Sequence, residues 1–135
     1  MGEFSLDDTI VAIATPPGRG GLGVVRVSGP AAVSIARALT GREAFLPRHA
    51  TLASIVEPVP GESRGGEREA AMEGDRVDEV VVTWFAAPHS YTGEDVIEIS
   101  GHGSPPVQER IVLLAMRAGG RLAEPGEFTF RAYLN

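Results

Sequence analysis

The chain has 135 residues, 43% of them hydrophobic, and a mean hydropathy of +0.03, which suits one domain of roughly 100–150 residues. All 12 basic side chains are arginine and there is no cysteine; this excludes a P-loop lysine, a Schiff base, disulfides, thiolate metal sites and a catalytic thiol. A net charge of −6 argues against unaided grip on a nucleic-acid backbone, which needs clustered positive charge.

In chain order, Asp8–Ala14 ("DTIVAIA") is β-branched and apolar and predicts a buried strand. Thr15–Leu22 is a loop rich in proline and glycine. "GVVRVSG" returns to strand chemistry, with Val25 and Val27 on one face and Val24 and Arg26 on the other. Pro30 is placed to begin a helix over Ala31–Thr40, closed by Gly41. Thr51–Glu57 predicts a strand, residues 58–76 an exposed charged hairpin loop, and Val77–Phe85 the strongest strand. After a loop around Pro88–Glu94, "DVIEIS" alternates Val96 and Glu98 against Ile97 and Ile99. Ser104 and Pro105 open a second helix whose buried side carries Val107, Ile111, Leu114 and Ala115. A short strand "RLAE", the turn "PGE" and a helical "FTFRAYLN" complete the chain. The expected fold class is α+β: a mostly antiparallel or mixed sheet with two or three helices in one domain over 1–135.

No apolar run approaches the ~20 residues of a membrane span. No charged-then-apolar leader opens the chain, so the expectation is a soluble, cytoplasmic protein without membrane partners.

Gly18, Gly20 and Gly23 have the G-x-G-x-x-G spacing of a dinucleotide-binding turn, with Glu43 about 20 residues on. That turn needs a helix starting at the glycines so that its N–H groups face the pyrophosphate. Here the glycines lead into valines in a strand pattern, so the spacing predicts a strand–loop–strand connection. The loop is then either a plain connection or a place where bare backbone and Arg19 approach a ligand.

His49, His89 and His102 are widely separated, without a metal-ligand pattern. Arg26 and Glu98 stand out because each is flanked by apolar residues within a strand. Most charged strand residues face solvent; the functional alternative is a half-buried pair lining a site, since a carboxylate suits an amidine-like edge and arginine clamps carboxylates. His102 lies beside the same stretch, with nothing in the sequence to fix it as an acid or base.

Three segments, "DTIVAIATPPGRGGLGVVRVSGP", "SYTGEDVIEISGHGS" and "EPGEFTFRAYLN", together resemble the signature stretches of the N-terminal domain of the MnmE (TrmE) tRNA-modification GTPases, in matching order and spacing. The resemblance covers about Asp8 to Asn135 and weakens over Ala31–Thr40 and the charged loop. It implies a fold like the folate-binding domain of aminomethyltransferases, homodimerisation through this domain, and binding of 5-formyltetrahydrofolate near the dimer contact. Carried over by position, the folate contacts fall on Arg26 and Glu98, with the pterin edge expected at the carboxylate and the tail carboxylates at the arginine. The glycine loop is then expected beside the folate site.

The resemblance further implies a whole protein with helical and Ras-like GTPase domains that lie outside this sequence, and these alone would hold GTP, Mg²⁺ and K⁺. With the flavoprotein MnmG (GidA), such a protein modifies the wobble uridine of tRNA. The domain alone is expected to be non-catalytic and to hydrolyse no GTP. Departures from the family pattern are "HGS" where "HGG" is common, Phe130 where a polar residue is frequent, and an end at Asn135, before the "LN-x-K" lysine that also touches folate. The alternatives are a dimerisation scaffold without a ligand and a piece of a folate-dependent aminomethyltransferase.

Overall fold

The alternation read from the two central strands is what builds the molecule. In the computed structural model, which describes residues 7–15, 20–57 and 75–135, the elements are β1 (Ile10–Ile13), β2 (Gly20–Ser28), α1 (Ala32–Thr40), β3 (Thr51–Glu57), β4 (Asp75–Phe85), β5 (Val96–Gly103), α2 (Pro105–Arg117), β6 (Arg121–Leu122) and α3 (Glu127–Leu134). The six strands form one sheet in the order β3-β4-β5-β2-β1-β6. All neighbours are antiparallel except β1 and β6. Among the described residues, three helices on a mixed sheet make the α+β architecture expected.

One face of the sheet carries Val25, Val27, Val82, Ile97 and Ile99, which are buried with Ile35 and Leu39 of α1 and Ile111, Leu114 and Ala115 of α2. Each such side chain removed from water contributes about 1.5–3 kcal/mol, and this layer is the core. Among the described residues no helix is long and apolar enough to cross a membrane.

Local punctuation follows the sequence with small shifts. α1 begins at Ala32 rather than at Pro30, which sits in the preceding turn; among the described residues no side chain caps it, and the Thr9 hydroxyl takes the N–H of the N-cap residue Ala31 at 2.7 Å, which ties the helix entry to the residue before β1. Gly41 closes α1 in the left-handed conformation (φ 74°). Ser104 stands at the N-cap of α2 with Pro105 next, although its hydroxyl makes no capping bond. β4 starts at Asp75, so the last two residues of the expected charged loop are strand, and 58–74 lie outside the described residues. β5 runs three residues past Ser100, through the glycines of "GHG".

The glycine fingerprint resolves in the same way. β1 and β2 are an antiparallel pair, Ile10 opposite Ser28 and Ile13 opposite Val25, and the segment from Gly20 to Ser28 is strand. Gly23 leaves room for its neighbour: a Cβ there would come 2.2 Å from Nε2 of Gln108 on α2. Gly18 and Arg19 lie outside the described residues.

Candidate functional site

The sheet's second face is only partly covered. Its first row, Ile10, Ser28 and Val96, is fully buried. The Ser28 hydroxyl lies 2.7 Å from that of Thr92 and donates to Glu94 at 2.6 Å, which holds the 86–95 segment over this row. The next row is the first open one, and register sets Ala12, Arg26, Glu98 and Thr83 side by side across four strands. Beyond it come Val24, Ser100, Val81 and Leu52.

Arg26 and Glu98, 72 residues apart in sequence, are direct cross-strand neighbours. Nε and Nη2 of Arg26 both donate to Oε2 of Glu98, at 3.1 and 3.0 Å, and the side chains are 26% and 29% exposed. Among the described residues, Oε1 of Glu98 and Nη1 of Arg26 take no protein partner, so one acceptor and one donor of the pair stay available. The guanidinium lies 5.4 Å from the ring centre of Tyr91 and 5.8 Å from that of Phe128, within the range of cation–π attraction. The site is a charged pair on a sheet ledge with aromatic rings at one side.

Phe128 is delivered by α3, and α3 is held by an ionic cluster. Arg131, fully buried, bonds Oδ1 of Asp8 at 2.7 Å and Oε1 of Glu94 at 3.1 Å. Glu127, also fully buried, takes Nη2 of Arg121 at 2.6 Å and the Glu124 N–H at 2.9 Å. Burial pushes the Glu127 carboxyl upward, but the Arg121 bond, the Glu124 N–H and the charge of Arg131 outweigh it and hold it below the ordinary range. Asp8 is held below its ordinary range by the hydrogen bond from Arg121, against a desolvation cost, with Arg131 adding to the effect. Tyr91 is tethered through its hydroxyl to Thr129 of α3 at 3.1 Å, and Asn135 donates to the Thr92 carbonyl at 2.9 Å.

Of the residues singled out from sequence, Arg26 and Glu98 are brought together. Glu43 lies past the end of α1, lining a surface cavity with Arg37 and Arg42. His49 faces the Pro47 carbonyl at 3.3 Å. His102 points the same way as Glu98 on β5, four residues on, and binds Asp78. Phe130 is 37% exposed. Sequence reasoning missed Tyr91, Phe128, Asp78 and the Glu127–Arg131 pair. The one available signal was the four-residue spacing of Glu127 and Arg131, which suits a helical ion pair. Among the described residues no three acidic or histidine side chains group as a metal site.

The family model described as "GTP-binding protein TrmE N-terminus" matches residues 9–135. The chain belongs to this family. It is 51% identical over 136 residues to the tRNA modification GTPase MnmE of Koribacter versatilis, covering 98% of this chain and 27% of that protein. The MnmE of Aromatoleum aromaticum is 51% identical over 131 residues (97% and 26%), and that of Nitrosomonas europaea 45% over 129 (96% and 25%). The chain thus spans about a quarter of the length of the curated relatives it matches, and within the TrmE N-terminal family the Arg26–Glu98 ledge is its candidate site.

Proposed function

We propose that this domain binds a reduced folate carrying a one-carbon unit, 5-formyltetrahydrofolate in the first instance, and pairs with a second copy of itself. It would do so within a cytoplasmic GTPase that acts with the flavoprotein MnmG (GidA) on the wobble uridine of tRNA. The folate is held and presented here, while the flavin chemistry of the partner uses its carbon; the domain's own part is binding and orientation.

The single observation that carries the folate reading is the Arg26–Glu98 pair with Oε1 and Nη1 left open. A reduced pterin presents an amino group, a ring N–H and a carbonyl in a row. The first two are donors for the Glu98 carboxylate and the third is an acceptor for Nη1 of Arg26. Tyr91 and Phe128 add flat apolar surface beside that edge. Since the two charged groups are 3.0 Å apart, they act as one unit on the pterin end of the ligand. Pairing with a second copy draws support from the apolar side chains of Ile13, Leu113, Met116 and Leu122, exposed together around one groove; contiguous patches of this kind mark association surfaces.

Glu98→Gln tests the assignment, because it keeps the shape and removes the charged acceptor. Its affinity for the pterin fragment alone is expected to fall by about tenfold or more, as hydrogen bonds to charged groups are worth ~1.5–3 kcal/mol. Unchanged affinity contradicts the assignment. The scaffold reading, in which this domain only pairs two GTPases, is favoured by one feature: Arg26 and Glu98 already satisfy each other as an ordinary cross-strand pair does. Saturable folate binding separates the two.

A further inference from the structure

If Arg26 and Glu98 both address the pterin, the carboxylate tail of the ligand needs a partner elsewhere on the same face. We infer that His102, held by the buried carboxylate of Asp78, is that partner, and that the open sheet face is a two-point site for an elongated ligand with a planar head and an anionic tail. The inference rests on the folate reading above.

Four observations place it. First, residues 98, 100 and 102 of β5 project to one side by strand periodicity, and β2 sets Arg26, Val24 and Leu22 opposite them in register. His102 therefore stands about 13 Å along the strand from Glu98, four steps of ~3.3 Å, and a folate carries its tail carboxylates at a comparable remove from its pterin edge. Second, the row between the two points is Val24, Ser100 and Val81, small and mainly apolar side chains against which an aminobenzoyl ring can lie. Third, His102 is aimed rather than loose. Asp78 takes the His102 backbone N–H at 2.9 Å and its Nδ1 at 2.6 Å. The Asp78 side chain is 6% exposed against 75% for His102.

Because an ionised carboxylate only accepts, Nδ1 carries the proton and Nε2 is left for solvent or a ligand. Fourth, the backbone makes room for the clasp: a Cβ at Gly101 would come 2.4 Å from Oδ2 of Asp78, so the carboxylate occupies space that a side chain there would need. A ligand carboxylate would be held at Nε2 with one proton taken up on binding, so that the ring lies between that carboxylate and Asp78. Glu79, the next acid on β4, is turned to Arg76 at 3.8 Å.

The test compares two probes, 5-formyltetrahydrofolate and a 5-formyltetrahydropterin lacking the aminobenzoylglutamate tail, by calorimetry on the wild-type chain and on His102→Gln. Glutamine keeps an N–H for Asp78 but cannot carry the charge. The wild type is expected to bind the full ligand about tenfold more tightly than the head. His102→Gln should lose that margin while its affinity for the head is unchanged. The inference is overturned if the variant keeps the margin, if it weakens head and full ligand alike, or if the wild type holds both probes equally. Failure of the wild type to bind either probe overturns the folate reading and the tail subsite with it. Thermal melting of the variant checks that the Asp78 clasp still folds, and His102→Ala repeats the comparison with no side-chain amide.

Discussion

At the scale of single residues, what makes the ledge chemically useful is the asymmetry of one ion pair. Two nitrogens of Arg26 converge on one oxygen of Glu98, and this leaves one donor and one acceptor of the pair unspent. Backbone demands are as specific as side-chain ones. Gly29 sits at φ 139° and a Cβ there would come 2.6 Å from the Thr9 Cα and 2.7 Å from the Asp8 carbonyl. Moving the Thr9 hydroxyl, also 2.7 Å away, would not make room, since the other two atoms met are backbone. Gly29→Ala is therefore expected to destabilise the fold by about 2–4 kcal/mol through strain and overpacking. Urea denaturation reads this out, and a loss under about 1 kcal/mol contradicts it. The effect is expected to spread to α1, because Thr9 also holds the Ala31 N–H at that helix's entry.

Among elements, α3 decides whether the ledge has its aromatic side. It makes little apolar contact with the sheet, and Arg131, Glu127, Glu94, Arg121 and Asp8 fasten it instead. Arg131→Met removes the cation that faces these acids in the interior. Glu94 loses its cation, while Asp8 and Glu127 keep Arg121 alone; breaking a buried pair costs up to about 3–5 kcal/mol, so the variant should melt below the wild type. Because Phe128 rides on α3, folate affinity should drop as well. A variant with wild-type melting shows that the cluster does not fasten the helix.

The pH response belongs to the same cluster. Asp8 and Glu127 have carboxyls held below their ordinary range in the folded chain. Their contribution is thus fully present above the unfolded values near ~4 and is lost as pH falls through the lower folded values. The melting temperature should fall steeply below about pH 4, more steeply than in Glu127→Gln, and a flat profile in that range contradicts the assignment.

Much of this was legible in the chain, and the illegible part has a common cause. Alternation in "VVRVSG" and "DVIEIS" put Arg26 and Glu98 opposite to the apolar faces before any coordinates, because period two is a local property. That the two residues meet is a matter of register between strands 72 residues apart, which no local pattern carries. The same applies to Asp78 and His102, 24 residues apart. "FTFRAYLN" reads as a helix, yet nothing local says that its arginine is fully buried, since a buried charge depends on partners supplied by Asp8 and Glu94. The glycine fingerprint shows the converse: the spacing was present, but its packing role at Gly23 is set by Gln108 on another element.

For the molecule as a whole, the sheet separates two tasks. One face is filled by α1 and α2 and supplies stability. The other is closed at one end by α3 and the 86–95 segment and open along the rows that carry Arg26, Glu98 and His102. A domain of the TrmE N-terminal family with this division is suited to holding an elongated ligand across the open rows, next to whatever docks on them. A net charge of −6 means that an anionic ligand on this face depends on local groups rather than on a broad positive field.

The most direct measurement is a calorimetric titration of 5-formyltetrahydrofolate into this chain, with Arg26→Ala alongside. Saturable binding that is lost in Arg26→Ala, while the variant keeps its fold, is the result the account predicts. Binding of equal strength in both proteins, or no binding by the wild type, would contradict it.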